Sequence, residues 1–156
     1  ALKRGEEFAK FSDIDICVMS EQIPLIFDLL NKDSGLYDIT TAKYESSTKY
    51  WKKGDVHAIA MSERTDIVIS EPAKIDIIAL RKNHDKVFVP GWGAMQVFPF
   101  SCFDGSSTIR RFNIDISVPV NAEECLRLLY GENWKLPVER WQHKNYKSVK
   151  YGPILI

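Results

Sequence analysis

Apolar and polar positions alternate most sharply between Phe11 and Met19, where Ile14, Ile16 and Val18 interleave with Asp13, Asp15 and Cys17. A period of two marks a half-buried strand, because successive side chains point to opposite faces. Past Ser20, a suitable N-cap, the period lengthens. Ile23, Ile26, Phe27 and Leu30 then share one face of a helix predicted over about 21–30. Turn chemistry in Lys32-Asp33-Ser34-Gly35 ends it. Extended segments are predicted next at about 36–44, 56–61, 66–70 and 74–80. The stretch 87–100 is apolar but punctuated by Pro90, Gly91, Gly93 and Pro99, and reads as loop with short extended pieces. Gly105 marks a turn, and about 108–118 returns as one or two strands. The clearest helix begins at Asn121, which with Glu124 forms an Asn variant of the capping box. Cys125, Leu126, Leu128 and Leu129 supply its apolar face, and Gly131 its C-terminal cap.

These elements predict a strand-rich α+β fold with few helices, in one domain over residues 1–156. An aromatic and basic tail over 132–156, holding Trp134 and Trp141, is expected to pack on it. Hydrophobic residues make up 45% and charged residues 27%, the usage of an ordinary globular protein, so disorder is excluded. Twenty-one Lys and Arg balance twenty-one Asp and Glu, so no overall field draws the chain to nucleic acid. No apolar run approaches the ~18 residues a membrane span needs, and no transmembrane segment is expected. Cys17, Cys102 and Cys125 are too sparse for a disulfide framework or a zinc site and are expected as buried thiols.

Chemistry enters with Ser12-Asp13-Ile14-Asp15-Ile16. Residues i and i+2 of a strand share a face about 6.5–7 Å apart. Two carboxylates so placed repel unless cations lie between them, an arrangement that suits Mg²⁺ or Mn²⁺. A third acid, Asp76, stands mid-strand in Lys74-Ile75-Asp76-Ile77-Ile78. If that strand lies beside the first, three carboxylates converge as a phosphoryl-transfer site requires. Spacing alone is equally compatible with the solvated face of an amphipathic sheet. The same pattern recurs at Ile114-Asp115-Ile116, before a Val-Pro turn, where Asp115 is expected to be exposed.

The order of segments resembles the LicD/fukutin family. Gly5-Glu6-Glu7-Phe8-Ala9-Lys10-Phe11-Ser12-Asp13-Ile14-Asp15-Ile16 is similar to its Asp-Asp-Ile-Asp signature, and Lys74-Ile75-Asp76-Ile77-Ile78-Ala79-Leu80 occupies the place of its downstream Ile-Asp-Ile strand. Val118-Pro119-Val120, followed by Leu129-Tyr130-Gly131, Trp134 and Pro137, looks like its closing segment. The resemblance covers about Arg4 to His143. It implies a nucleotidyltransferase-like fold that transfers a phospho-alcohol, such as phosphocholine or ribitol phosphate, from a CDP-activated donor to a glycan hydroxyl. Asp13 and Asp15 would then hold Mg²⁺ or Mn²⁺ on the donor pyrophosphate. Asp76 would complete the metal site or take the acceptor proton.

Two further readings accompany this one: a nucleotidyltransferase adding a nucleotide to an acceptor, and a non-catalytic glycan- or partner-binding domain of the same fold. Ser12 stands where the family's run begins with Asp, and Ala1 to Gly5 are expected to be the tail of an upstream Gly-rich helix. Bacterial relatives are cytoplasmic and animal relatives work in the Golgi lumen, so the compartment stays open. For the donor, Arg110 and Arg111 are candidate phosphate clamps, at most one of them because neighbours on a strand face opposite ways. Trp92, between Gly91 and Gly93, is a candidate stacking surface for a sugar or cytosine. His57, His84 and His143 show no paired ligand spacing and are expected as surface or packing residues.

Overall fold

The alternation that opens the chain becomes β1 (Asp13–Met19), followed by a 3-10 turn at Ser20–Gln22 and helix α1 (Ile23–Lys32). The computed structural model describes residues 13–32, 35, 37–64, 74–91, 94–111, 113–135 and 149–151; the side chains at 13, 91, 94, 111 and 149–151 are not part of that description. Three antiparallel-running strands follow α1: β2 (Tyr37–Lys43), β3 (Val56–Glu63) and β4 (Lys74–Asn83). Then come β5 (Lys86–Gly91), β6 (Ala94–Pro99), β7 (Ser106–Arg111), β8 (Ile114–Pro119), helix α2 (Ala122–Tyr130) and β9 (Val149–Tyr151). The result is a strand-rich α+β fold with a mixed sheet. The predicted strand at 66–70, and the tail residues 136–148 including Trp141 and His143, lie outside the described residues.

The chain divides into two compact units, one from the described residues up to Arg81 and one from those beyond it. In the first, β3 pairs antiparallel with both β2 and β4, while β1 pairs parallel with β4. The registers sort the sheet into rows. One set runs Ile14, Ile75, Met61, Ile39 and Ile16, Ile77, Ile59, Thr41 across the four strands. Ile59 and Ile77 of this apolar face are buried, while Ile14 and Ile16 on β1 remain exposed. Ile23 of α1 is also buried, Ile26, Phe27 and Leu30 are half-buried, and Leu25 and Leu29 face outward. Lys32 in the last turn of α1 complements the helix dipole.

Between β2 and β3, residues 44–55 fold back on themselves. The Thr48 hydroxyl accepts the Trp51 N–H at 2.9 Å, and an Asp55 carboxylate oxygen accepts the Lys52 N–H at 2.8 Å. Trp51 is buried under the Arg81 guanidinium, 4.5 Å from its ring, and Arg81 also meets Asp55 at 3.3 Å. Tyr44 packs against Trp51 and against His57, whose ring centroid lies 4.6 Å away.

The second unit contains the main departure from expectation. Residues 86–99 form the antiparallel hairpin β5–β6, with β9 added to β6, rather than a loop. Val87, Phe88 and Val89 are all buried, so this strand is covered on both faces and shows no alternation. Pro90 sits near the end of β5, opposite Met95, and Pro99 is the last residue of β6. β7 and β8 form a separate two-stranded hairpin.

Helix α2 ends as expected, with Gly131 at φ 87° donating its N–H to the Arg127 carbonyl at 2.8 Å. Its start differs. The Asn121 side chain makes no capping bond; its Nδ2 donates to the Ser101 carbonyl at 2.8 Å, and Glu124 pairs with Arg127. Tertiary attachment to the preceding 3-10 turn, Phe100–Cys102, thus replaces the capping box. The thiols are not uniformly buried: Cys102 is, Cys125 is half-buried, and Cys17 is exposed because it lies on the polar face of β1. Trp134 is buried as expected.

Candidate functional site

The opposite set of rows carries the acidic positions singled out by the sequence. Asp15 on β1 stands directly across from Asp76 on β4, then Ala60 on β3, then Thr40 on β2. The neighbouring row runs Asp13, Lys74, Ser62, Asp38. The condition set by the sequence is therefore met for the two strands: β1 and β4 are adjacent, and their acidic positions are in register. Adjacent strands are about 4.8 Å apart, so Asp15 and Asp76 confront each other as like charges on one sheet face. Asp13 opens β1 two positions earlier, opposite Lys74.

The local sequence explains this placement. β-branched isoleucines at 14, 16, 75 and 77 favour strands and claim one face, which leaves the acids on the other. Parallel pairing then brings the two Ile-Asp-Ile triplets into register without offset. Beside Asp76, position 60 is alanine, so the third strand adds no bulky side chain to the row. Asp15 is exposed, while the Asp76 side chain retains 24% of its exposure and receives a hydrogen bond from Lys74 Nζ at 2.8 Å. Lys74 is the residue whose part the sequence reading missed. Its signal was present in Lys74-Ile75-Asp76, where opposite charges stand two apart on one strand face.

The carboxylate oxygens are hard donors, the type that Mg²⁺ and Mn²⁺ prefer. Mg²⁺ in particular takes one or two carboxylates and completes its sphere with water and substrate phosphate. Asp15 and Asp76 fit that pattern as a pair, with Asp13 as a third candidate by position. Among the described residues, no group of three or more His, Cys, Asp or Glu side chains is gathered closely enough to hold a metal by itself. A bound cation here would thus depend on oxygen atoms from water or substrate.

The donor-binding candidates fall differently. Arg110 closes the β7–β8 hairpin: its guanidinium meets Asp115 at 2.8 Å and donates to the Asn113 carbonyl at 3.1 Å. Asn113 adopts φ 61°, the left-handed turn conformation for which Asn is suited. Arg111 ends β7, and Trp92 lies outside the described residues. Asp115 is exposed, as expected. His57 packs on Tyr44, and burial holds its pKa below 6.5, so the ring is neutral at pH 7. His84 occupies the exposed turn between β4 and β5 at φ 53°. No helix among the described residues is long and apolar enough to cross a membrane. Comparisons with protein-family models, curated proteins and solved structures give no match for this chain.

Proposed function

We propose that this chain is a metal-dependent transferase of the LicD/fukutin type, moving a phospho-alcohol from a CDP-activated donor to a glycan hydroxyl. The observation that supports this reading is the in-register pairing of Asp15 and Asp76 on adjacent parallel strands, with Asp13 two positions before Asp15. Two carboxylates in register on one sheet face supply the hard oxygen donors that a metal-bound pyrophosphate requires. Mg²⁺ or Mn²⁺, when bound, would neutralise charge on the donor phosphates.

In the reaction, the acceptor hydroxyl oxygen forms a bond to the phosphorus that bears the alcohol. The bond from that phosphorus to the bridging oxygen breaks, and CMP leaves. Asp15, with Asp13, would hold the donor end. Asp76 would hold the same cation or accept the hydroxyl proton, and Lys74, paired with it at 2.8 Å, adds positive charge beside the acids.

The test is calorimetric titration of CDP-choline and CDP-ribitol, with and without Mg²⁺ or Mn²⁺, into the protein and its Asp15→Asn variant. Metal-dependent binding that the variant loses is expected. Folded protein that binds neither donor with any metal would overturn the reading. Release of CMP rather than pyrophosphate separates phospho-alcohol transfer from nucleotide addition.

A further inference from the structure

We infer that Cys102 and Cys125 form a modification site, a thiol pair that closes to a disulfide by exchange with a disulfide oxidant and staples helix α2 to the turn before it. The inference stands apart from the metal-dependent reading, because both residues belong to the second unit. Cys102 ends the 3-10 turn Phe100–Cys102, and Cys125 lies in the first turn of α2. They are 23 positions apart in sequence, a spacing that suggests no pair, yet the fold brings them together. The Cys125 thiol donates to the Cys102 carbonyl at 3.3 Å, and the two side chains hydrogen-bond each other. One helical turn earlier, the Asn121 side chain donates to the Ser101 carbonyl at 2.8 Å, a second anchor that holds the two elements at this approach. Both sulfurs are thiols in the structure. Cys17, on β1, belongs to the first unit.

Exposure sets the order of the chemistry. Cys125 is half-buried and Cys102 fully buried, so an oxidant in solution meets Cys125 first. With glutathione disulfide as the oxidant, Cys125 gives its proton to water and its thiolate attacks one glutathione sulfur. The S–S bond breaks and one glutathione leaves as thiolate. Cys102 then loses its proton and attacks the Cys125 sulfur of the mixed disulfide, and the second glutathione leaves. Two cysteine thiols are oxidised, and one glutathione disulfide is reduced to two thiols. Burial pushes the Cys102 thiol up from its ordinary pKa, the Cys125 hydrogen bond opposing that shift and Glu124 reinforcing it. The first attack therefore falls to Cys125, and proximity carries the second. The new bond closes a loop that contains the whole β7–β8 hairpin, and such a cross-link stabilises by restricting the unfolded chain.

The experiment incubates the folded protein with glutathione disulfide, alkylates the remaining thiols in denaturant and maps tryptic peptides by mass spectrometry. Arg110 and Arg111 separate the two cysteines, so the disulfide shows as a linked pair of peptides that dithiothreitol releases. Wild type should give the Cys102–Cys125 link with Cys17 outside it, and the oxidised protein should melt about 5–10 °C above the reduced one. Cys102→Ala should retain glutathione on Cys125, whereas Cys125→Ala should carry at least about tenfold less glutathione on the buried Cys102. Wild type that keeps glutathione on Cys125 without linking, or leaves both cysteines open to alkylation after oxidation, overturns the inference. So does a linked form that melts no higher than the reduced one. The wild-type map needs no variant, and if Cys102→Ala does not fold, Cys102→Ser takes its place with the same expected result.

Discussion

The tripeptide Ile-Asp-Ile occurs at 14–16, 75–77 and 114–116, and the comparison between the first two copies and the third is instructive. Copies one and two lie side by side on β1 and β4, so aspartate faces aspartate and isoleucine faces isoleucine. The third lies on the β7–β8 hairpin, where Asp115 faces Arg110 and the two side chains pair at 2.8 Å. Burial does not follow the same division: Ile77 in the second copy is 6% exposed, but Ile14 in the first is 51% and Ile114 in the third 61%. All three copies obey the same local rule, strand conformation with acid and isoleucine on opposite faces. What separates them is the neighbouring strand. On the hairpin the acid's partner stands on the facing strand, whereas Asp76 faces another carboxylate and takes its partner, Lys74, from its own strand.

That contrast can be broken first at the acids. Asp15→Asn and Asp76→Asn should each lower CMP release from a CDP-activated donor by at least about a hundredfold, while Asp115→Asn should leave it within about twofold. Equal losses at all three would erase the distinction. The isoleucines sharpen the same comparison through stability. Denaturant unfolding should show Ile77→Ala costing about 2–5 kcal/mol and Ile114→Ala within about 0.5 kcal/mol of wild type.

The β2–β3 end of the first sheet carries a pH signature. Burial lowers the His57 pKa from 6.5, so the unfolded chain binds more protons and stability should decline as pH falls below 6.5. Tyr44 is pushed up from 10 to about 12, chiefly by burial, partly opposed by Arg81 and reinforced by Asp55. Its contribution should persist below pH 10 and fade as pH rises toward 12. Thermal melts across pH check both limits, and His57→Phe should flatten the acid one. Smallest of all, a double-mutant cycle on Arg110 and Asp115 should give a coupling of about 0.2–1 kcal/mol, the value of an exposed pair.

Much of this fold was legible from periodicity. The strand beginning at Asp13, the helix after Ser20, the segments beginning near 37, 56 and 74, and the helix ending at Gly131 all announce themselves through spacing and caps. The hairpin over 86–99 did not, because burial on both faces removes alternation and its prolines and glycines resemble punctuation. The Asn121 cap misled for another reason: its side chain bonds to Ser101, a tertiary partner that the local motif does not encode. For the site, the acids at 13, 15 and 76 stood out by chemistry, but their mutual register depends on a parallel pairing that no spacing specifies. The Trp51–Arg81–Asp55 cluster was hidden for the same reason.

The parallel pairing of β1 with β4 also bears on how the chain matures. β2 and β3 are joined by residues 44–55 and can pair as soon as both exist, whereas β1 must wait for β4, the last of these strands to be made. Until then Asp15 has no carboxylate across from it. A slip of one residue in that late pairing would set Ile77 against Asp15 and turn Asp76 toward the isoleucine face, a penalty that selects the native register. On the proposed metal-dependent reading, capture of Mn²⁺ by nascent or refolding chains would serve as a clock for the final docking of β4.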